Sequence, residues 1–273
     1  MPDRVAVAAT APFGAEILER LAAQLDISCL ITRPDRPAGR GQKPRPPAAK
    51  LVAERLGIHV LQPEKLDSSL ELDADTVVLC AYGVLIPEPL LERALWLNVH
   101  PSLLPRWRGA APVERAIMAG DSETGVTIHR TVKELDAGPI AAQAAFPIEP
   151  EDDAGAVYAQ AAALAAGLVV NVMPSPAFRA QSEEGVSYAH KIAAEDRELD
   201  LSRPREEIMN RIRALSPHIG AWGEVGGRRL LVWRARPVQA DSVLVVNKIE
   251  LLVVQPEGRR RMSGEEFLRG LRA

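Results

Sequence analysis

The chain has 273 residues, a net charge of −3 and an apolar fraction of 47%, so it is long and apolar enough to bury a large core. Its two cysteines, Cys29 and Cys80, lie in apolar runs without a C-x-x-C partner, which argues against a disulfide framework and a zinc site. The N-terminus lacks the apolar core of a signal peptide, and the apolar stretch at 161–170 is shorter than a membrane span. We therefore expect a cytoplasmic protein with no membrane partner.

The opening of the chain alternates between strand-like and helix-like patterns. Residues 4–9 form a short run rich in Val and Ala, residues 13–25 carry apolar side chains at helical spacing, and residues 27–32 are again strand-like. This β-α-β order predicts an α/β fold with a Rossmann-like, doubly wound, mostly parallel sheet that binds ligands at the carboxyl ends of its strands. No G-x-G-x-x-G follows the first strand, which disfavours dinucleotide binding.

The pattern continues with further helices and strands. We expect helices at 48–56, 85–95 and 112–118, and strands at 59–61, 76–81 and 124–128. His59 is predicted to be a strand-edge residue and His129 an ordinary sheet residue. An alanine-rich helix at 157–173 has no charge, which predicts packing on more than one side.

Two short segments carry the candidate chemistry: Leu97–Gly109, with the sequence LNVHPSLLPRWRG, and 135–140, with the sequence LDAGPI. Asn98 and His100 are two residues apart, so in a strand both side chains point to one face. An amide and an imidazole can together hold a carbonyl oxygen that is becoming negative, and a carboxylate such as Asp136 can favour the protonated imidazole. Taken singly, each of the three is equally an ordinary turn or strand-end residue.

A proline-rich stretch at 33–50 carries six basic residues against one acidic residue, Asp35. Its five prolines and two glycines predict an exposed loop that is not regular throughout. Such a loop can neutralise phosphates in a salt-dependent way, or it can simply be solvated, and the residues alone give both readings equal weight.

The C-terminal part differs in charge and pattern. Residues 205–273 contain 13 basic and 8 acidic residues, a net charge of +5, so the rest of the chain carries −8 of the total of −3. A helix at 205–215 precedes short strands at 221–225, 229–234, 243–246 and 249–254, which predict a small OB-like β-barrel domain. We therefore expect a first domain at 1–188, a linker at 189–204 and a second, OB-like domain at 205–273.

The segment from Leu97 to Gly109, together with the Asp136 turn, resembles the active-site signature of folate-dependent formyltransferases. The stretches Arg106–Pro112 and Arg33–Gly41 further resemble the branch of that family that acts on methionyl-tRNA. This resemblance covers nearly the whole chain and thins near the C-terminus.

The resemblance implies transfer of the formyl group of 10-formyltetrahydrofolate to initiator methionyl-tRNA by a monomer that needs no metal. It implies that the domain at 1–188 is catalytic and that the domain at 205–273 binds tRNA, and it assigns catalysis to Asn98, His100 and Asp136. It implies that the tetrahydrofolate site is formed by Tyr82, Gly83, Ser102, Leu103, Leu104, Pro105 and Gly138. It implies that the basic loop binds tRNA through Arg33, Arg36, Arg40, Lys43 and Arg45.

The sequence departs from the family in two places. Ala9 and Ala11 replace residues of the usual Gly-Thr-Pro turn, and the stretch between Pro237 and Leu251 is shorter than usual, which would remove one or two barrel strands. Two alternatives stay open: a folate-dependent enzyme that formylates a small amine, such as an amino sugar nucleotide, and an RNA-binding relative without activity.

Overall fold

The computed structural model describes residues 4–38 and 43–272. Contacts between Cα atoms divide the chain into two compact units, each assembled from several segments. The first unit contains the chain up to Arg108, Gly125–Ala145 and Ala159–Ser187. The second contains Gly109–Thr124, Phe146–Tyr158 and the chain from Tyr188 onward.

The helices and strands follow one another in a largely alternating order. The first part of the chain contains β1 (Val5–Ala9), α1 (Pro12–Ala22), β2 (Ile27–Ile31), β3 (Arg36–Ala38), β4 (Lys43–Arg45), α2 (Ala48–Leu56), β5 (Val60–Leu61), β6 (Thr76–Cys80), α3 (Glu88–Leu91) and β7 (Leu95–His100). The middle contains β8 (Arg108–Gly109), α4 (Pro112–Ala119), β9 (Glu123–Arg130), β10 (Ile140–Pro147), α5 (Ala154–Val172) and β11 (Tyr188–Ala189). The last part contains α6 (Arg205–Leu215), β12 (Ala221–Val225), β13 (Arg228–Pro237), β14 (Val245–Val246), β15 (Ile249–Pro256), β16 (Met262–Ser263) and α7 (Gly264–Arg272).

A seven-stranded sheet in the order β10-β9-β7-β6-β1-β2-β5 organises the first unit. The strands from β7 to β5 pair in parallel, while β9 runs antiparallel to β7. This arrangement confirms the predicted Rossmann-like, mostly parallel sheet. In β6 and β7, Leu79 pairs with Asn98, so the ends of these two strands lie side by side. The predicted site residues follow both of those ends.

Burial explains why the sheet forms from these residues. All five residues of β1 are buried, as expected for a central parallel strand with both faces covered. Helix α1 turns one apolar stripe inward, where Ile17, Leu18 and Leu21 have no exposed surface. Strand β1 consists only of alanine and valine because neither of its faces is exposed to water.

The first turn tolerates the loss of its usual glycine. Ala9, which stands where the usual turn has glycine, is not among the described residues with positive φ, and Ala11 has φ −79° and ψ 167°, ordinary extended values that any residue adopts. The close approach occurs instead at Gly14, where a Cβ atom would lie 2.5 Å from the Cys80 carbonyl oxygen and 2.8 Å from the Ala9 Cβ. Close packing against β1 and β6 thus requires glycine at position 14, inside the helix.

The second unit contains an antiparallel sheet in the order β12-β13-β15-β14, with β16 also paired to β15. Helix α6 buries Ile208, Ile212 and Leu215 in the core of this unit, and α7 adds Phe267. The sheet is a curled half-barrel, which confirms the OB-like expectation. Strand β14, in the shortened stretch, has only two residues.

Several expected elements differ in the structure. Helix α3 has four residues instead of the predicted eleven, and Leu95 already belongs to β7. Strands β10 and β16 were not predicted. The basic stretch contains a short antiparallel hairpin, β3 and β4, although its prolines predicted a loop. Each strand has three residues, and Arg36 stands opposite Arg45 in the pairing.

The predicted linker at 189–204 is held in place within the second unit. It contains a short 3₁₀ helix, Glu195–Arg197, and its Asp196 accepts a bidentate pair of hydrogen bonds from Arg115 at 2.8 and 2.6 Å. The division of the chain at residues 188 and 205 stays a prediction, since residues 109–124 and 146–158 group with the C-terminal part.

Helix α5 is longer than the apolar stretch seen in the sequence. By length and composition alone it could cross a membrane, with 19 residues and a mean hydropathy of 1.6, but core helices of soluble proteins meet the same criteria. Its buried residues form one stripe, including Ala161, Ala165 and Val169, while Leu164 is exposed. The expectation of packing on several sides was wrong, because alanine stabilises an exposed helical face as well as a buried one.

Replacing Gly14 by alanine should lower the free energy of unfolding by about 1–3 kcal/mol, because the new Cβ overlaps backbone and Ala9 atoms. The matched control is Gly167→Ala in α5, where nothing lies within 4 Å of the added Cβ. That variant should be neutral or stabilising, because alanine is the better helix former. Urea unfolding of both proteins measures this, and equal stabilities would contradict the close approach at Gly14.

Candidate active site

Three side chains predicted from the sequence lie together at the end of β7. Asn98 and His100 project from the same face of the strand, and both reach Asp136. The Asn98 Nδ2 donates to Asp136 Oδ1 at 3.1 Å, and His100 Nδ1 lies 3.7 Å from Asp136 Oδ2. The imidazole and the carboxylate are 5% and 11% exposed, respectively. An amide, an imidazole and a carboxylate therefore converge in a site with little water.

A fourth side chain, His129, belongs to the same cluster, so its assignment as an ordinary sheet residue was wrong. It stands directly opposite Asn98 in the antiparallel pairing of β7 and β9. Its Nε2 lies 3.1 Å from Asn98 Nδ2 and 3.7 Å from Asp136 Oδ1, and the ring is buried. The sequence showed the alternation of β9, but the register that brings His129 to Asn98 depends on strand pairing.

Hydrogen-bond partners fix the protons of this cluster. The His129 Nδ1 faces the Arg130 carbonyl oxygen at 3.1 Å and must donate to it, which leaves Nε2 as an acceptor for Asn98. The Asn98 amide thus gives one hydrogen to His129 and the other to Asp136. The His100 Nε2 donates to the Trp107 carbonyl oxygen at 2.8 Å, so its Nδ1 is the nitrogen that faces Asp136.

Burial lowers the pKa of His100, and the nearby His129 lowers it further. The Asp136 carboxylate and the hydrogen bond to Trp107 act in the opposite direction without reversing the shift. The imidazole is therefore neutral near pH 7. The attraction of the Asp136 carboxylate, which favours the protonated form, is outweighed by the removal of the ring from water.

The turn that carries Asp136 is conformationally constrained. Asp136 has φ +48°, in the left-handed region that non-glycine residues rarely adopt. At Gly138, a Cβ atom would lie 1.8 Å from the Arg130 carbonyl oxygen, so only glycine fits. Trp107, whose carbonyl holds His100, also has a positive φ, +64°. Strained backbone of this kind clusters at functional sites.

Side chains of β9 and β10 hold the loop at 101–107. Thr127 Oγ1 donates to the Ser102 carbonyl oxygen at 2.6 Å and accepts from the Leu104 amide at 3.1 Å. Gln143 donates to the Leu104 carbonyl oxygen at 2.9 Å. The Ser102 hydroxyl is buried and donates to the Arg106 carbonyl oxygen at 2.7 Å, so it stabilises the loop from inside. Neither Thr127 nor Gln143 was identified from the sequence.

The residues predicted to bind folate lie at the same edge of the sheet. Tyr82 is buried, which raises the pKa of its phenol, and Gly83 follows with φ +77°. The next residue but one, Leu85, is 80% exposed, and Leu135 beside Asp136 is 53% exposed. Exposed leucines next to a polar site can cover one face of a flat ring.

The hairpin of β3 and β4 presents basic side chains to solvent. Arg36 and Arg45 are both exposed and lie opposite each other. Its base is anchored by Asp35, which accepts hydrogen bonds from Lys50 at 2.9 Å and from Gln62 at 2.8 Å. Arg33 lies beside Gly83, at the sheet end of this stretch.

Two predicted tRNA-binding side chains are not placed by the structure. Arg40 lies outside the described residues, and of Lys43 only the backbone, in β4, is described.

A cavity of about 600 Å³ lies within the second unit and contains none of the predicted site residues. Its wall is rich in carboxylates, and it is lined by Glu195, Glu198, Leu199, Asp200, Leu201, Arg211, Trp222, Gly223 and Glu224. None of the residues of the polar cluster lines this cavity, so the cavity is not the candidate active site.

A mostly parallel sheet with a polar cluster at its carboxyl edge, together with a C-terminal half-barrel, matches one known class of enzymes. The chain belongs to the formyl transferase family, whose profile matches residues 3–173, and the profile of the formyl transferase C-terminal domain matches residues 191–272. Among its relatives is the methionyl-tRNA formyltransferase of Paracoccus denitrificans, 41% identical over 98% of this chain and 97% of its own. That of Latilactobacillus sakei is 36% identical over 96% and 92%.

Solved structures share the fold at low sequence identity. HypX from Aquifex aeolicus, solved with tetrahydrofolic acid, superposes with a TM-score of 0.70 at 16% identity, over 98% of this chain and 47% of that longer one. The sugar 3N-formyl transferase WlaRD superposes with a TM-score of 0.62 at 16% identity, over 95% and 100%. These likenesses establish the fold.

The lowered pKa of His100 predicts how stability depends on pH. The unfolded imidazole binds a proton below about pH 6.5, whereas the buried one resists it, so stability is full above that pH and falls as the pH is lowered. Replacing His100 with glutamine should flatten this fall. Urea unfolding between about pH 5 and pH 8 measures the effect, with the exposed His59→Gln as control. An unchanged pH slope in the His100 variant would contradict a buried neutral imidazole.

Proposed function

We propose that this protein transfers the formyl group of 10-formyltetrahydrofolate to the amino group of methionyl-tRNA. The relatives with this activity are 36–41% identical to the chain over nearly its whole length and theirs. The observation that carries the proposal is the convergence of Asn98, His100 and Asp136 at the carboxyl edge of the sheet. This cluster can serve acyl transfer, in which negative charge develops on an oxygen and a proton must move.

The reaction joins the attacking amine nitrogen to the formyl carbon and then breaks the bond from that carbon to the folate nitrogen. Between these steps the carbonyl oxygen carries negative charge, which an N–H donor such as Asn98 stabilises. In the resting site both Asn98 amide hydrogens are already used, by His129 and Asp136. The developing oxyanion must therefore replace one of these acceptors.

The neutral state of His100 gives it a role as a base before it acts as an acid. Its imidazole accepts the proton that the attacking amine loses, and the imidazolium is then stabilised by the Asp136 carboxylate beside Nδ1. The same proton passes to the departing folate nitrogen, and His100 returns to its neutral form. Asp136 stays ionised throughout and need not itself transfer a proton.

The folate would be held by the residues at the ends of β6 and β7. Tyr82, Gly83 and the loop at 102–105 form one wall by resemblance to the family, and the exposed Leu85 and Leu135 supply apolar surface. Gly138 holds the turn of Asp136 close to Arg130, which fits a role in shaping the site. Ser102 contributes through its loop, since its hydroxyl is committed to Arg106.

The tRNA would be bound by basic side chains. The exposed Arg36 and Arg45 of the hairpin, with Arg33 near the sheet edge, offer charge to phosphates, and the second unit supplies further arginines. Choice of the initiator tRNA, a monomeric state and a cytoplasmic location are part of the same proposal.

The test is a formyl transfer assay with 10-formyltetrahydrofolate and methionyl-tRNA, initiator and elongator in separate reactions, scored for formylmethionine. An amino sugar nucleotide is tested in parallel as the competing acceptor. Formylation of initiator methionyl-tRNA alone supports the proposal. Turnover only with the sugar nucleotide would overturn the assigned acceptor, and no turnover with either would overturn the enzymatic assignment.

Replacing Asn98 by alanine should slow turnover about 100-fold, because an oxyanion donor contributes roughly 3 kcal/mol to transition-state stabilisation. The fold should persist, since the side chain is only half-buried. The control is Asn171→Ala on the exposed face of α5. A loss of less than about tenfold in single-turnover rate would argue against the role of Asn98.

Replacing Arg36 and Arg45 together by alanine should weaken tRNA binding and reduce the slope of log affinity against log salt by roughly one to two phosphate contacts. The charge-matched control is Arg20→Ala with Arg55→Ala, two exposed arginines paired with glutamates on α1. Filter binding across a salt series gives both slopes. If the two double variants behave alike, the hairpin contributes only general charge.

A further inference from the structure

A glutamine in the loop after α5 is hydrogen-bonded to the turn that carries Asp136. The Gln181 Nε2 donates to the Asp136 carbonyl oxygen at 2.7 Å and to the Gly138 carbonyl oxygen at 2.8 Å. Its Oε1 accepts from Arg108 Nη2 at 2.7 Å and from Arg108 Nε at 3.1 Å. One amide group thus makes four hydrogen bonds, and two of them go to the turn.

Arg108 determines which way this amide points. Its side chain is 8% exposed, and a guanidinium carries only donors, so the Gln181 oxygen must face it. The amide hydrogens are then forced to face the two carbonyl oxygens of the turn. Because a reversed amide would set donors against donors and oxygen against oxygen, the arrangement has a single low-energy orientation.

The turn needs such support because its conformation is unfavourable by itself. Asp136 adopts φ +48°, in the left-handed region that is unfavourable for a residue with a Cβ. Two carbonyl groups that converge on one donor group also repel each other unless that donor is present. Loss of the donor should let the Asp136 backbone relax, and its carboxylate would then move away from Asn98 and His100.

We propose that Gln181 is a positioning residue, oriented by Arg108, that acts on formyl transfer by holding the Asp136 turn in its left-handed conformation. The effect on activity rests on the proposed function, in which Asp136 serves catalysis. The effect on the turn does not. Gln181 itself contacts only Arg108 and the backbone of the turn in these hydrogen bonds.

Gln181→Glu is the most informative variant. It keeps an acceptor for Arg108, so the buried guanidinium stays paired, but it places a second carboxylate oxygen against the two carbonyl oxygens. Gln181→Met removes the donors without adding charge. The control for charge is Gln24→Glu, a change at an exposed glutamine whose side chain donates to the Arg20 carbonyl oxygen.

For a positioning role, we expect both Gln181 variants to lower kcat by about 10- to 100-fold, as displacement of a catalytic group does. The KM values for folate and tRNA should change by less than about twofold, because no binding group is lost. If Gln181 only paired Arg108 and filled space, Gln181→Glu would be as active as wild type and more stable than Gln181→Met. That result would overturn the proposal, and so would a loss confined to the charged variant.

Hydrogen exchange measured by mass spectrometry tests the turn without any substrate. In the full chain, amides in peptides covering 130–140 should exchange faster in both Gln181 variants than in wild type and Gln24→Glu, since Ala137 and Arg130 bond within this region. Unchanged exchange would overturn the proposal. If wild type does not formylate methionyl-tRNA but exchange accelerates as expected, the proposed function fails and the positioning of the turn stands.

Discussion

The site depends on one buried carboxylate that several side chains share. Asp136 accepts a hydrogen bond from Asn98 and lies 3.7 Å from both His100 and His129. A carboxylate removed from water requires such partners, because unpaired burial of its charge is costly. The same requirement brings together residues from β7, β9 and the following turn. The contacts of the cluster are thus also the way in which this charge is accommodated.

The distribution of protons over the cluster follows from the backbone. Two carbonyl groups, of Trp107 and Arg130, each take one N–H from an imidazole, so each ring turns its other nitrogen toward Asn98 or Asp136. Burial keeps His100 neutral at rest. A base that is neutral before the reaction and is paired with a carboxylate after it has taken a proton is well suited to move a proton between two nitrogens.

Some of the arginines that give the second unit its positive charge also make contacts within the protein. Arg229 lies 3.9 Å above the ring centre of Trp222, and Arg261 lies 3.5 Å above that of Trp233. Arg261 also donates to the Pro217 carbonyl oxygen. These arginines stabilise the half-barrel by cation–π contact, and a stacked guanidinium can still offer outward N–H groups to a phosphate. The same side chains therefore contribute both positive surface charge and stability of the half-barrel.

The sequence by itself determined most of the strands and helices, the mostly parallel sheet, the C-terminal strands and the three polar residues Asn98, His100 and Asp136. These features follow from local periodicity and from motifs, and both depend on residues that are close to one another in the sequence. Tertiary structure alone decided that His129 faces Asn98, that burial lowers the pKa of His100 and that Gln181 is hydrogen-bonded to the Asp136 turn. Strand register, removal from water and contact between distant loops set these features, and each depends on residues far apart in the chain.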